Sequence, residues 1–241
     1  MKRWHYETAA DLDQSIHDRL RNFPREPDIL IYTLRTIAAL VIRFLLRVYH
    51  RFEIRGRENL PDGSFVLVCN HTSHLDAPCL ISALPFARLH RVFPAAAEDY
   101  FFKSLPRAWF TSIVINALPF SRQVHIRESM ALCAKLLENR GNILIVFPEG
   151  TRSATGEIGH FKPGIGNLLA GRDIPVIPCH LRGAYTAWNR RSWFPKPRKV
   201  SLVIGRPRCY AGHTCDRKNS HSIADELREE VVQLSLHHES D

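Results

Sequence analysis

Two short segments hold most of the residues whose types could perform chemistry. The first, residues 70–78 (NHTSHLDAP), contains two histidines and an aspartate. Histidine is the usual general base near neutral pH because its pKa lies close to 7. A carboxylate that accepts the other ring N–H fixes the tautomer and stabilises the imidazolium. The segment therefore predicts a base and carboxylate pair, with His71 or His74 as the base and Asp76 as the carboxylate.

The spacing of this pair determines the local structure that it needs. Residues five apart on a regular helix are rotated by about 140° from each other, so their side chains would not meet. His71 and Asp76 can pair only across a turn from a strand into a helix, for which Asn70, Thr72 and Ser73 are suitable turn or cap residues. On these residues alone, the capped start of a helix remains the alternative to a catalytic pair.

The second segment is residues 147–153 (FPEGTRS). Its arginine, Arg152, carries a planar guanidinium that suits a phosphate, and the turn at Gly150 offers backbone N–H groups to an anion. A structural ion pair between Glu149 and Arg152 is the alternative. Two further cations are candidates for the same anion: Arg122 and Lys162.

Both segments follow continuous apolar runs that predict buried strands, residues 65–69 and 142–147. Strands that alternate with helices predict an α/β fold, a single domain with a mostly buried central sheet flanked by helices. In such sheets, sites form at the carboxyl ends of strands. The remaining predicted strands are 91–95, 174–179 and 200–204, and the predicted helices after residue 53 are 77–84, 124–140, 164–170 and 222–236.

An N-terminal helix is predicted over residues 29–49, after a polar tail at residues 1–27. At 100° per residue, the arginines of this helix fall on one side, and Arg51 just after it continues the same side. The arginines within the helix are Arg35, Arg43 and Arg47. The opposite side is apolar: Ile31, Leu34, Ala38, Val41, Ile42, Leu45 and Val48. The pattern predicts an amphipathic helix that lies in a membrane interface with its arginines against anionic lipid. Packing of the apolar side on the protein's own core is the alternative.

The composition is that of a globular protein with excess positive charge. The 241 residues include 33 Lys and Arg against 24 Asp and Glu, a formal net charge of +9, which attracts anionic partners. The six cysteines include no CxxC pair, and the spacing of Cys209, His213, Cys215 and His221 fits no standard zinc pattern. We therefore expect no metal site.

The two chemical segments resemble the first and third motifs of the glycerophospholipid acyltransferase family, lysophosphatidate (1-acylglycerol-3-phosphate) acyltransferase type. The His-x4-Asp of that family falls on His71 and Asp76 rather than on His74. A later apolar-Pro-apolar motif matches residues 174–176, and the resemblance covers roughly residues 54–206 in the expected order. The second motif departs from the family pattern, because residues 116–122 keep Arg122 but lack the usual glycine and acidic residue.

The resemblance implies an acyltransferase that moves a fatty acyl group from acyl-CoA or acyl-ACP to a hydroxyl of a lysophosphatidate-like acceptor in phospholipid biosynthesis. His71 is then the base, and Asp76 holds it. The family assigns acceptor binding to residues that match these positions: Glu149, Gly150, Thr151, Arg122 and Arg152, with Lys162 nearby. The altered second motif leaves other acceptors open: glycerol 3-phosphate, another lysophospholipid or an amino-lipid.

The same resemblance implies no cofactor besides the acyl-CoA or acyl carrier protein co-substrate. It implies an anionic membrane surface as partner, no nucleic acid, and a peripheral or monotopic location on the cytoplasmic face. Residues 1–52 are expected to form the tail and membrane-associating helix, and residues 53–241 the acyltransferase domain. A thioester hydrolase and a non-enzymatic lipid- or nucleic-acid-binding protein remain alternatives.

Overall fold

The computed structural model describes residues 29–97, 116–120 and 126–236. The predicted polar tail at residues 1–27 and the candidate Arg122 lie outside these ranges. The described strands are β1 (Glu53–Arg55), β2 (Phe65–Cys69), β3 (Val92–Ala97), β4 (Leu118–Phe120), β5 (Ile143–Val146), β6 (Val176–Arg182) and β7 (Ser201–Ile204). The described α-helices are α1 (Ile29–Tyr49), α2 (Asp76–Ala83), α3 (Ile126–Glu138), α4 (Gly164–Leu169), α5 (Ala184–Trp188) and α6 (Arg217–Leu236).

The described strands form one sheet in the order β1-β7-β6-β2-β5-β3-β4. Neighbouring strands are parallel except β6 and β7, which are antiparallel. At the centre, β2 pairs with β5 on one side and with β6 on the other. The carboxyl ends of β2 and β5 therefore lie side by side at one edge of the sheet, as the sequence predicted for the two chemical segments.

Helices cover both faces of the sheet, which confirms the predicted α/β class. The strand β2 is buried along its whole length, and its side chains alternate between two clusters. Phe65 and Leu67 point into the cluster with α1, α2 and α5, whereas Val66 and Val68 point into the cluster with α3, α4 and α6. A strand buried on both faces has no polar alternation, which explains the continuous apolar run.

The C-terminal helix α6 begins at Arg217, five residues before the start predicted from its apolar spacing. The backbone N–H of Asn219 donates to the carboxylate of Asp216 at 2.8 Å, so Asp216 caps the helix. The first turn is polar, and apolar periodicity therefore does not detect it.

The helix α1 lies along the domain with Arg35 and Arg43 inward, opposite to the predicted orientation, whereas Arg47 is exposed. Arg35 is buried, and its Nη2 donates to Asn116 Oδ1 at 3.0 Å. Arg43 donates to the carbonyl of Leu84, and its guanidinium lies 3.6 Å from the ring centroid of Phe86. The prediction that these two arginines face anionic lipid is therefore wrong. Periodicity identifies the two sides of a helix but not which side the domain covers.

The alternative interpretation, an apolar side packed on the core, holds only in part: Ile31, Leu34, Ala38 and Ile42 are partly buried, whereas Val41, Leu45 and Val48 are exposed. The inward side carries Ala39 and Leu46, which are buried, whereas the outward side is a continuous apolar stripe. The stripe residues are each more than half exposed: Ile37, Leu40, Val41, Phe44, Leu45 and Val48. Within the described ranges, α1 also has the length and apolar composition that crossing a membrane would require.

Candidate active site

The parallel pairing of β2 with β5 brings the two chemical segments into contact. Val68 and Val146 are register partners near the ends of these strands. Just beyond them, the backbone N–H of Ser153 donates to the carbonyl of His71 at 2.7 Å. Residues 82 positions apart in the chain thus meet at one edge of the sheet because two buried strands end together.

The first segment forms the strand-to-helix turn that the pairing of His71 with Asp76 requires. His71 Nδ1 lies 2.8 Å from Asp76 Oδ2, and Asp76 is fully buried at the start of α2. The same oxygen accepts the backbone N–H groups of Thr72 at 2.7 Å and Ser73 at 2.8 Å. The carboxylate thus organises the turn and holds the histidine at once, so the two interpretations of the sequence are compatible.

This arrangement indicates which of the two ring nitrogens of His71 carries the proton. A carboxylate oxygen that already accepts two backbone N–H groups is an acceptor for the ring as well, so Nδ1 carries the proton. Nε2 then keeps its lone pair for a substrate proton. The ring of His71 stacks on Phe147 with centroids 4.2 Å apart, and its side chain is 24% exposed. The ring of His71 is therefore fixed in orientation and remains accessible from solvent.

Glu149 fixes the backbone on which His71 stands. Its Oε1 accepts the backbone N–H of His71 at 2.8 Å, and its Oε2 accepts that of Gly159 at 3.2 Å. Burial raises the pKa of Glu149, and these two hydrogen bonds oppose that rise. The role assigned to Glu149 by resemblance, shaping the acceptor site, stays a prediction; the contacts add a positioning role that connects the two segments.

The second histidine has opposite surroundings. Arg152 Nη1 lies 2.7 Å from both ring nitrogens of His74, and the ring of Trp188 lies 5.0 Å away. Burial lowers the pKa of His74 to about 4, and the charge of Arg152 contributes to that decrease. A histidine whose ring nitrogens face a guanidinium is poorly placed to gain a second proton. The geometry therefore favours His71 over His74 as the candidate base, which is also the residue that the resemblance implies.

The remaining described candidates lie at the same edge. Gly150 has a positive φ of 73°, and a Cβ there would lie 2.7 Å from Lys162 Nζ. The backbone N–H of Lys162 donates to the carbonyl of Pro148 at 3.0 Å, so Lys162 is folded back over the turn. Thr151 is exposed beside them. Glycine at 150 thus provides both the turn and the space for the ammonium group of Lys162.

Sequence reasoning assigned Asn70 to the turn but missed its contacts with β6. Its side chain donates to the carbonyl of Leu181 at 3.1 Å and accepts the backbone N–H of Leu181 at 2.9 Å. This amide continues the β2–β6 ladder one residue beyond the strand and so fixes the point where the turn starts. A buried asparagine directly after an apolar strand was the available signal. Across the described ranges, no group of three or more His, Cys, Asp or Glu side chains is placed to hold a metal ion.

A family model described as Acyltransferase matches residues 51–182 of this chain. The chain belongs to the Acyltransferase family. The match includes β2, the His71 turn, β5 and residues 147–153, so the site described above lies within the matched region. The predicted resemblance to this family is confirmed.

Similar proteins include 1-acyl-sn-glycerol-3-phosphate acyltransferases. The chloroplastic BAT2 protein of Brassica napus is 31% identical over 151 residues, covering 61% of this chain and 42% of that protein. A protein of Pseudomonas aeruginosa is 29% identical over 157 residues, covering 64% and 58%. The chain thus spans about half the length of these curated relatives.

A solved structure supports the fold. The crystal structure of the 1-acyl-sn-glycerophosphate acyltransferase PlsC from Thermotoga maritima matches with a TM-score of 0.65 and 24% identity. The match covers 86% of this chain and 80% of that chain. The likeness therefore includes the sheet and extends beyond the residues that the family model matches.

Proposed function

We propose that this acyltransferase moves a fatty acyl group from a thioester to the free hydroxyl of lysophosphatidate. The observation that carries the proposal is the 2.8 Å contact between His71 Nδ1 and the buried Asp76, which leaves Nε2 available as a base. The names of the relatives support the acceptor, and the family match supports the reaction class. Acyl-CoA and acyl-ACP are both candidate donors.

The reaction needs one base and no covalent acyl-enzyme. Nε2 of His71 takes the proton of the acceptor hydroxyl as its oxygen attacks the thioester carbonyl carbon. Asp76 stabilises the resulting imidazolium through Nδ1–H. The C–O bond forms, the C–S bond breaks, and the imidazolium returns its proton to the leaving thiolate. The products are a new ester and a free thiol, so no metal or redox cofactor is required.

The acceptor phosphate would bind to cations around the second segment. Arg152 and Lys162 lie there, and the turn at Gly150 exposes backbone N–H groups. Arg122 is proposed as a third cation on the strength of the family motif alone. Together these groups would hold the phosphate while the acceptor hydroxyl approaches His71.

The outward stripe of α1 is proposed to lie in one leaflet of a membrane, with the domain on the cytoplasmic side. Ile37, Phe44 and Val48 are among its exposed residues. Inward contacts of Arg35 and Arg43 hold the helix parallel to the domain surface, which favours an in-plane helix over a spanning one. This location would place the enzyme where its lipid acceptor and product reside.

The decisive experiment is acyl transfer from labelled acyl-CoA and acyl-ACP to lysophosphatidate and to monoacylglycerol, the same acceptor without phosphate. We expect transfer to lysophosphatidate and a much slower reaction with monoacylglycerol. The His71→Ala protein provides the blank, and His221→Ala, an exposed histidine on α6, is the matched control. Equal rates with the two acceptors would contradict phosphate recognition. Release of free fatty acid without acceptor would indicate a thioester hydrolase instead.

A further inference from the structure

The connection between α5 and β7 has an unusual surface. Residues 189–199 (NRRSWFPKPRK) contain five cations, no carboxylate and an adjacent Trp-Phe pair. Trp193 is 90% exposed and Phe194 is 78% exposed. Large aromatic side chains are normally mostly buried, so two neighbours in this state indicate an interaction surface. We name residues 189–199 the aromatic-basic loop.

This loop is tied firmly to the domain by its backbone. The N–H of Lys196 donates to the carbonyl of Ala187 at 2.8 Å, and Nε1 of Trp188 donates to the carbonyl of Ser192 at 3.0 Å. These bonds close the loop on both sides of the aromatic pair. A partner that binds the loop therefore meets a surface that is already ordered, and little conformational entropy is lost on binding.

The aromatic-basic loop adjoins the outward stripe of α1. The hydroxyl of Tyr49, the last residue of that helix, donates to the carbonyl of Pro195 at 3.1 Å. Val48, which ends the apolar stripe, is 61% exposed at the same helix end. The aromatic pair and the stripe therefore belong to neighbouring parts of the surface.

We propose that the aromatic-basic loop is a second membrane contact, which binds the anionic phospholipid headgroup layer. Trp193 and Phe194 enter the interfacial zone, where large aromatic side chains are favoured, and the cations pair with lipid phosphates. The pair of Lys199 with Glu53, at 2.7 Å, leaves four cations of the loop for this contact: Arg190, Arg191, Lys196 and Arg198.

This inference deepens the proposed membrane association and rests on it. It moves the contact with anionic lipid from Arg35 and Arg43 of α1 to a different segment. Arg35 and Arg43 face the domain, whereas Arg190 and Arg191 are exposed beside the aromatic pair. The two segments contribute different interactions to membrane binding: α1 supplies apolar surface area, and the loop supplies positive charge and interfacial aromatic side chains.

The residue just before the loop, Trp188, contacts the turn that carries His71. The carbonyl of Trp188 accepts the hydroxyl of Ser73 at 2.7 Å and the backbone N–H of His74 at 3.2 Å. These residues belong to the turn that carries His71. A membrane bound at the loop is thus close in the structure to the base, as an acceptor drawn from the lipid layer requires.

The test is binding of the full chain to vesicles of pure phosphatidylcholine and to vesicles of equal parts phosphatidylcholine and phosphatidylglycerol. All proteins carry His71→Ala, so that a failure of acyl transfer has no bearing on the binding result. The Trp193→Ser/Phe194→Ser variant should bind anionic vesicles about tenfold more weakly. The Arg190→Gln/Arg191→Gln variant should lose about tenfold on anionic vesicles only, because its lost contacts are electrostatic.

The matched control for charge is Arg217→Gln/Lys218→Gln, which removes two exposed cations at the start of α6 on the opposite face of the sheet. It should bind anionic vesicles like the parent protein. A second measurement is quenching of tryptophan emission by brominated phosphatidylcholine. The Trp193→Phe variant should keep its vesicle affinity but lose most of the quenching, because the reporter at the interface is gone.

Vesicle binding that survives both loop variants unchanged would overturn the loop proposal and leave the α1 contact standing. No binding of the parent protein to either vesicle would overturn both membrane contacts. An equal loss in the α6 control would show that net charge alone is responsible, and would also overturn it. So would tight binding of a single-stranded oligonucleotide that the loop variants abolish while vesicle binding stays intact.

Discussion

The two histidines of one turn have opposite neighbours. His71 meets the buried carboxylate of Asp76, whereas His74, three residues later, meets the guanidinium of Arg152. The first contact orients the ring through Nδ1 and leaves Nε2 open to a substrate, whereas burial and the charge of Arg152 lower the pKa of His74. Chemical type alone would make either residue a base. The comparison shows that the role of each histidine depends on the partner that the fold supplies.

The largest effect on this comparison is expected from Asp76→Asn. An amide can keep the ring in place but cannot stabilise an imidazolium, so kcat should fall by about 10³–10⁴-fold. The measurement is steady-state acyl transfer, together with thermal unfolding to show that the turn remains folded. Asp225→Asn, an exposed carboxylate on α6, is the control. Wild-type turnover in a folded Asp76→Asn protein would remove the distinction between the two histidines.

Glu149→Gln tests how the backbone of His71 is held. Glutamine keeps one acceptor oxygen, so one of the two hydrogen bonds to His71 and Gly159 is lost. We expect kcat to fall by about tenfold and the free energy of unfolding to fall by about 1–2 kcal/mol. Circular dichroism melts and transfer rates check this. Glu157→Gln, an exposed neighbour, should change neither, and an unchanged Glu149→Gln protein would contradict the positioning role.

His74→Ala should have a smaller effect and a different kinetic signature. The ring contacts Arg152, a candidate phosphate ligand, and is not the proposed base. We expect KM for lysophosphatidate to rise by up to about tenfold while kcat stays close to wild type, because acceptor binding is affected and the chemical step is not. Separate determination of kcat and KM makes the distinction. A collapse of kcat would assign His74 a catalytic role.

The smallest expected effect concerns stability against pH. The pKa of His74 is lowered from 6.5 to about 4 in the folded chain by burial and Arg152, with opposing attraction from Asp76 and a minor repulsion from His71. The unfolded chain therefore binds more protons between these values, and stability falls as pH decreases from 6.5 through 4. After solvent screening is allowed for, the loss is about 1 kcal/mol. Denaturant melts of His74→Gln should show a flatter pH dependence, and an identical slope would contradict the assignment.

Local patterns predicted the central elements well. The apolar run at residues 65–69 coincides with β2, and the helix predicted at 164–170 is α4, Gly164–Leu169. The three-residue strands β1 and β4 were missed because they are too short to show a period. The short helix α5 was missed for the same reason.

The candidate site was only partly predictable. The turn that joins His71 to Asp76 followed from their spacing, but the choice of His71 over His74 from the sequence depended on the family resemblance. The contact of Glu149 with Gly159, ten residues away, could not be found from composition or periodicity, because loop geometry determines it. The prediction of the orientation of α1 was wrong for a similar reason, because the burial of Arg35 depends on Asn116, 81 residues later in the chain.

The central claim is that His71, held by Asp76, is the base of an acyl transfer. Its most direct test is single-turnover transfer to lysophosphatidate by His71→Ala, measured beside His74→Ala at saturating substrate. The account predicts a loss of at least about 10³-fold for His71→Ala and a change within about tenfold for His74→Ala. A folded His71→Ala protein that transfers at the wild-type rate, or equal losses in both variants, would contradict it.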